Sequence, residues 1–153
     1  MGATEFFIDN FGKTVNEAYR KQVDHDFYEH GHGGYTGTLA EKDGFILITR
    51  PPRIRADRLK DLIIDAEQWM YWMDTDEKYR GQVYTEPKAK CRKAWYQLIE
   101  KYPAGGARNI CKTYGEKWGP ALAVEQSPAE KKARWNDLPR GSKTFLFFGM
   151  ASC

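Results

Sequence analysis

The chain lacks several features that would place it in a specialised class of proteins. No apolar run approaches the ~20 residues that a membrane-spanning helix needs, so no membrane contact is expected. The first residues, MGATEFFIDNFGK, show no basic start followed by an apolar stretch, so a secretory signal is not expected. The three cysteines have no CxxC spacing, which favours reduced thiols in a cytoplasmic protein.

The chain also lacks a large excess of either positive or negative charge. The formal net charge is +3, although charged residues make up 29% of the 153 residues. This balance falls well short of the basic bias of a dedicated duplex-binding protein, and the helix-turn-helix, zinc-finger and RNP1 patterns are missing. The mild positive charge is compatible with a small anionic ligand.

Aromatic side chains are abundant, at 14% of the chain, and such rings fill cores, line pockets or stack on bases. The length fits a single domain over residues 1–153 with a sizeable core. Apolar residues at three- and four-residue spacing predict three main helices, and two shorter ones are also predicted, the second from its Ser127 cap and Pro128 start. The main helices are Thr14–Tyr28, Asp57–Met73 and Lys88–Tyr102; the shorter ones are Ala107–Gly115 and Pro128–Trp135.

Strand patterns predict about four strands. Two of them, Tyr35–Glu41 and Phe45–Thr49, flank an Asp-Gly pair and are predicted to form a hairpin. The others are Pro120–Glu125 and Thr144–Met150, and residues 74–87 are predicted to be a loop. The fold class predicted is α+β, with an at least partly antiparallel sheet of about four strands packed with the three main helices, all on one of its faces.

The segment Glu29–Lys42, EHGHGGYTGTLAEK, is the strongest candidate for a site. It holds two of the three histidines together with four glycines, two threonines and a tyrosine. Glycines let a backbone approach a ligand closely, and consecutive N–H groups in such a loop can bind an anion. A connection that merely needs positive φ angles explains the glycines equally well.

Two chemistries compete for the histidines of this segment, against a plain helix end whose dipole protonated His30 and His32 would favour. A zinc or manganese site is disfavoured because H-E-x-x-H spacing is missing, so no metal ligands and no cofactor are assigned. His30 and His32 can act as general acid and base, which leaves a phosphoester hydrolase as an alternative. Because no nucleophile with a base and an orienting group is evident, no catalytic residue is assigned.

The turn Tyr114–Pro120, YGEKWGP, is a second candidate, since a Trp beside a Lys can stack on a base and pair with a phosphate. A tryptophan that closes the edge of the core is the competing interpretation. We expect the loop and this turn to meet and to bind a small phosphate-bearing ligand, a nucleotide. The residues predicted to bind it are His30, His32, Tyr35, Thr36, Thr38, Lys117 and Trp118.

Three segments in order, GHGGYTGTLAEK, YGEKWGPALAVE and KTFLFFGMASC, resemble small accessory proteins of tailed bacteriophages. The resemblance implies expression in the host cytoplasm during infection, and it implies a role against host defence, such as sequestering a nucleotide signal. A non-enzymatic, homo-oligomeric ligand-binding protein is therefore the leading hypothesis. A protein that docks onto a host factor through exposed aromatic residues is the other alternative.

Overall fold

The computed structural model describes residues 2–75 and 86–153, and residues 76–85 of the predicted loop lie outside the described residues. Five helices and a sheet of four strands make up the described part. The strands are β1 (Ala3–Gly12), β2 (Phe45–Ile48), β3 (Ala121–Glu125) and β4 (Lys143–Ser152). The helices are α1 (Val15–His30), α2 (Ala56–Thr75), α3 (Glu86–Lys101), α4 (Gly106–Gly115) and α5 (Pro128–Arg134).

The strands lie in the order β1-β4-β3-β2. β4 runs antiparallel to both β1 and β3, whereas β2 runs parallel to β3. The predicted fold class, α+β with a partly antiparallel four-stranded sheet, is confirmed. Among the described residues, no helix is long and apolar enough to cross a bilayer.

The predicted hairpin is wrong. The segment Tyr35–Glu41 is a loop that ends in a 3-10 helix, Leu39–Glu41, and β2 pairs with β3 instead of with this segment. Gly44 does adopt a positive φ of 80°, so the Asp-Gly pair makes a local turn. The chain leaves that turn towards β3 because the Gly44 carbonyl accepts the Ala121 N–H at 3.0 Å.

The first strand was missed by the sequence prediction, which assigned nothing to Ala3–Gly12. Its burial explains why, because most of its side chains remain partly or fully exposed and only Phe6 and Gly12 are buried. Exposure on both faces erases the alternation of apolar and polar residues by which a strand is recognised. The strand forms through its pairing with β4 over the whole length of both strands.

Helices pack on both faces of the sheet, so the prediction of one covered face is wrong. On one face α1 and the 3-10 helix pack on Phe145 and Phe147, through residues such as Ala18 and Leu39. On the other face α2, α3 and α4 enclose a larger core that includes Leu146 and Phe148. The continuous apolar run of β4 is thus buried on both faces of the sheet.

Helix ends follow the sequence signals closely. The Thr14 hydroxyl accepts the Glu17 N–H at 3.2 Å and caps α1, while Gly31 closes it with a φ of 76°. Ser127 and Glu130 form the reciprocal capping box of α5. Glu130 also accepts the Ala56 N–H at 2.7 Å, so one carboxylate caps two helices.

Candidate functional site

The glycine-rich loop packs tightly against the end of the sheet. Gly37 has a φ of 70° and donates its N–H to the Ser152 carbonyl at 2.8 Å. A Cβ at Gly37 would lie 2.6 Å from the Thr4 methyl carbon, so only glycine fits at this point. The close approach that the glycines predict is therefore made to the protein's own strand β1.

The loop and the YGEKWGP turn meet through two aromatic rings. The centroids of Tyr35 and Trp118 lie 6.1 Å apart with an interplanar angle of 80°, an edge-to-face contact. Both rings stay open to solvent, at 48% and 49% of their full exposure. The Lys117 ammonium lies 5.4 Å from the centroid of the Trp118 ring. Two aromatic rings and a cation thus share one exposed surface.

The two threonine hydroxyls are engaged within the loop. Thr36 and Thr38 share a hydrogen bond of 2.8 Å, and the Thr36 hydroxyl also donates to Glu41 Oε1 at 2.9 Å. The Glu41 carboxylate accepts the Tyr35 N–H at 3.0 Å as well. This network holds Tyr35 at its positive φ of 59°, so the threonines position the ring rather than present free hydroxyls.

The structure separates His30 from His32. The His32 ring stacks on Phe27, with centroids 4.2 Å apart and an interplanar angle of 14°. His30 instead lines a cleft beside β1. Within the described ranges, no histidine forms an ion pair with a carboxylate, and no group of three His, Cys, Asp or Glu could hold a metal ion.

Lys42 anchors the turn that carries Trp118. Its buried ammonium donates to the Met150 carbonyl at 2.7 Å and to the Glu116 carbonyl. Burial lowers the pKa of this ammonium to about 8, against the opposing effect of the Glu116 carboxylate. The lysine joins the glycine-rich loop, the turn and β4. No local pattern predicts this role, because Lys42 stands next to an Asp-Gly pair typical of a hairpin turn.

A cleft of about 620 Å³ runs beside β1, and its lining shows a site that the sequence did not indicate. Residues 6–10 of β1 form one wall, α1 and the end of the glycine-rich loop form the other, and Arg134 and Trp135 lie at one end. Of the predicted site residues only His30 and Thr38 line it. The cleft could not be predicted because it exists only where β1, itself missed, lies beside α1.

Polar side chains are linked along the wall of this cleft. Asn10 Nδ2 donates to Gln22 Oε1 at 3.0 Å, and Gln22 Nε2 donates to Asp26 Oδ1 at 2.9 Å. The other Asp26 oxygen accepts the Ala40 N–H at 3.3 Å. The Asp26 carboxylate therefore helps to hold α1 to β1 and to the 3-10 helix.

A second buried polar cluster lies on the opposite face of β1. The Tyr114 hydroxyl donates to Glu5 Oε2 at 3.0 Å and ties α4 to the strand. Burial, together with the Glu5 carboxylate, raises the pKa of Tyr114, and burial raises the pKa of Glu67 nearby. These shifts follow from packing on the large core, and the cluster contributes to attaching β1.

Comparisons of the chain with protein-family models, with curated proteins and with solved structures gave no match. The resemblance to phage accessory proteins therefore stays a prediction.

Proposed function

We propose that the protein binds a small phosphate-bearing ligand, a nucleotide, and releases it unchanged. The observation that carries the proposal is the contact between Tyr35 and Trp118, whose rings come from distant parts of the chain and stay half-exposed together. Two exposed aromatic rings in contact with each other and with a cation match the requirements of a base with an attached phosphate.

Each residue of this surface has a separate role in the proposed complex. The base stacks on Trp118, which is framed by a turn that Lys42 fixes to β4. Lys117 pairs with the phosphate from its position near the same ring. Tyr35 meets the tryptophan edge-on and limits where the base can lie, and Thr36 keeps Tyr35 in place through Glu41.

Binding without turnover is favoured over hydrolysis by the positions of the histidines. A general base needs a partner that orients it and a substrate within hydrogen-bond reach. The His32 ring stacks on Phe27, and the Asp26 carboxylate beside His25 and His30 is occupied by Gln22 and Ala40. This arrangement supports a ligand-binding role for the surface.

The biological setting follows from the resemblance to phage accessory proteins. A protein that holds a nucleotide without consuming it lowers the free concentration of that nucleotide in proportion to its own abundance. In the cytoplasm of an infected bacterium, such a protein would counter a defence pathway that depends on a nucleotide signal.

Isothermal titration of the purified protein against mono-, di- and cyclic nucleotides tests the proposal. We expect binding that weakens modestly with added salt, because Lys117 supplies one charge contact. Trp118→Ala should weaken it by roughly 1–3 kcal/mol, the range for loss of one stacked base.

Tyr96→Ala is the matched control, since Tyr96 is half-exposed and has the Arg92 guanidinium 5.4 Å from its ring. It should bind like the unchanged protein. Failure of every nucleotide to bind, or equal losses from both variants, would contradict the proposal. Turnover of a nucleotide that disappears in a His30→Ala, His32→Ala double variant would favour the hydrolase instead.

A further inference from the structure

Alternate residues of strand β1 point their backbone N–H and C=O groups towards β4 or away from the sheet. Cys153 donates its N–H to the Gly2 carbonyl at 3.4 Å, which makes this pair a hydrogen-bonded one in the antiparallel ladder. By alternation, even-numbered residues such as Phe6 and Ile8 direct their N–H and C=O groups to β4. The odd-numbered residues direct theirs away from the sheet, along its free edge.

One end of this free edge is closed by side chains. The Phe11 N–H donates to Asn10 Oδ1 at 2.8 Å, and the Phe11 carbonyl accepts from Lys21 Nζ at 3.0 Å. The remaining outward groups belong to Ala3, Glu5, Phe7 and Asp9. Within the part of the chain that the structure describes, these backbone groups have no hydrogen-bond partner.

The open part of the edge is also its most exposed apolar part. Phe7 is 57% exposed on the face towards α2, and Ile8 is 37% exposed on the face towards α1. An unpaired edge with apolar side chains is a template for another strand. The cleft of about 620 Å³ lies along the same residues.

We infer that a second copy of this chain pairs with β1, antiparallel, to give one continuous sheet across a two-fold axis at Phe7. A two-fold axis perpendicular to a sheet places one residue opposite the same residue of the second copy. Phe7 is that residue here, because the open backbone groups of Glu5 and Asp9 lie at equal distances on either side of it. Pairing Phe7 with itself and Glu5 with Asp9 in both directions forms about six backbone hydrogen bonds, two for each of the three pairs.

The side chains of this register complement each other. Phe7 lies opposite Phe7 of the second copy, so these two exposed rings cover one another, and the exposed Ile8 lies opposite the buried Phe6. Thr4 lies opposite Asn10, a pair that can hydrogen-bond. This self-complementarity is the reason to assign the edge to a second copy of the chain rather than to an unrelated peptide.

The one unfavourable pair has a compensating cation. Glu5 lies opposite Asp9 of the second copy, and like charges that face each other destabilise a sheet. Arg134 Nε already lies 3.2 Å from Asp9 Oδ2. Its remaining N–H groups can bridge Asp9 to Glu5 of the second copy, since a guanidinium carries five donors.

The oligomeric state measured by size-exclusion chromatography with light scattering tests the inference. The unchanged protein should be a dimer, and Phe7→Lys should weaken the dimer about tenfold or more, since it sets two ammonium groups opposite each other. Tyr71→Lys is the control, because Tyr71 on α2 is exposed to a similar extent, 54%. It should stay dimeric, and circular dichroism should show both variants folded. A monomeric unchanged protein, or a folded Phe7→Lys dimer of unchanged strength, overturns the inference.

Cysteine crosslinking tests the register separately. In a Cys153→Ser background, which removes the exposed thiol, Phe7→Cys should be linked into a dimer by a short thiol-reactive crosslinker, because opposite Cβ atoms in a hydrogen-bonded pair lie about 5.5 Å apart, slightly too far for a direct disulfide. Thr4→Cys should not, since in this register the two copies of residue 4 are separated by about 20 Å along the strands. Equal crosslinking of both variants, or crosslinking of Thr4→Cys alone, contradicts the register.

Discussion

The two edges of the sheet are built in opposite ways. β1 is ten residues long and antiparallel to its neighbour, and its outward groups are open from Ala3 to Asp9. β2 has four residues, runs parallel to β3, and turns only Phe45 and Leu47 outward. Both edges expose apolar side chains, so apolar exposure does not distinguish them. What differs is the length of backbone available for pairing.

The β2 edge is closed at its end by the residues that follow it. The Tyr102 hydroxyl donates to the Thr49 carbonyl, and Arg50 donates to the carbonyls of Ile54 and Glu125 at 2.9 and 3.1 Å. Pro51 and Pro52 then prevent the strand from continuing. A short edge of this kind is how proteins avoid unwanted pairing, and the long open edge of β1 lacks that protection, which is why we infer a pairing partner for it.

Proline substitutions should give the largest difference in the free energy of unfolding between the two edges. Ile8→Pro removes an N–H that bonds to β4, so it should cost about 3 kcal/mol or more of the free energy of unfolding. Leu47→Pro removes an outward N–H with no partner in the described chain and should cost about 1 kcal/mol. Urea denaturation followed by circular dichroism measures both. Equal losses would show that the assignment of inward and outward groups is wrong.

An effect of intermediate size on the free energy of unfolding is expected from the titration of Lys42, which holds the segment leading into β2. The folded protein has a pKa of about 8 for this ammonium, below the 10.5 of an unfolded lysine, because it is buried. Between these values the unfolded chain binds one more proton at this lysine, so the Lys42 contribution to stability rises as the pH rises from 8 towards 10. Over that interval we expect Lys42 to add about 1–2 kcal/mol to the free energy of unfolding, against an opposing loss from the Cys111 thiol, whose pKa burial raises to about 12.

Lys42→Met is the control for this pH dependence. Denaturant titrations at pH 8, 9 and 10 should show the unchanged protein gaining stability relative to the variant, because the cysteine and tyrosine ionisations are common to both proteins. The variant should also be less stable than the unchanged protein at pH 10, because the carbonyls of Glu116 and Met150 lose their donor. Parallel profiles for both proteins would mean that another group titrates.

The smallest effect compares the arginines at the two edges. Arg50→Ala at β2 should cost about 1–2 kcal/mol, since two backbone carbonyls lose a charged donor. Arg134→Ala at β1 should cost about 0–1 kcal/mol in the isolated chain, because its ion pair with Asp9 is partly solvated. Thermal or urea denaturation at low protein concentration gives both values. A larger loss for Arg134→Ala under those conditions would mean that β1 depends on this ion pair for its attachment.

Much of the fold could be predicted from local signals. The apolar stripe of α2, the Thr14 cap of α1 and the proline start of α5 each act within a few residues, so the sequence alone identifies them. The contact between Tyr35 and Trp118 was also expected, because both lie in glycine-rich turns beside strands. The continuous apolar run FLFF of β4 is typical of a strand covered on both faces, and it disagrees with the predicted single covered face.

Other parts depended on contacts between distant segments. The composition of Phe45–Ile48 does not distinguish pairing with a preceding hairpin strand from pairing with β3. The packing of α1 and α2 on opposite faces of the sheet decides between these two pairings. His30 and His32 are two residues apart, yet one lines the cleft and the other stacks on Phe27, since the chain turns at Gly31.

The sequence by itself determined the helices, their caps and the strands with a buried apolar pattern, because these depend on periodicity and on hydrogen bonds within a few residues. Only the tertiary structure decided that Ala3–Gly12 is a strand, that β2 is parallel, and that a cleft lies between β1 and α1. The physical reason is that strand pairing joins residues far apart in the chain, such as Ala3 and Ser152. The free energy of strand pairing depends on which neighbouring strand is available, and no local sequence pattern contains that information.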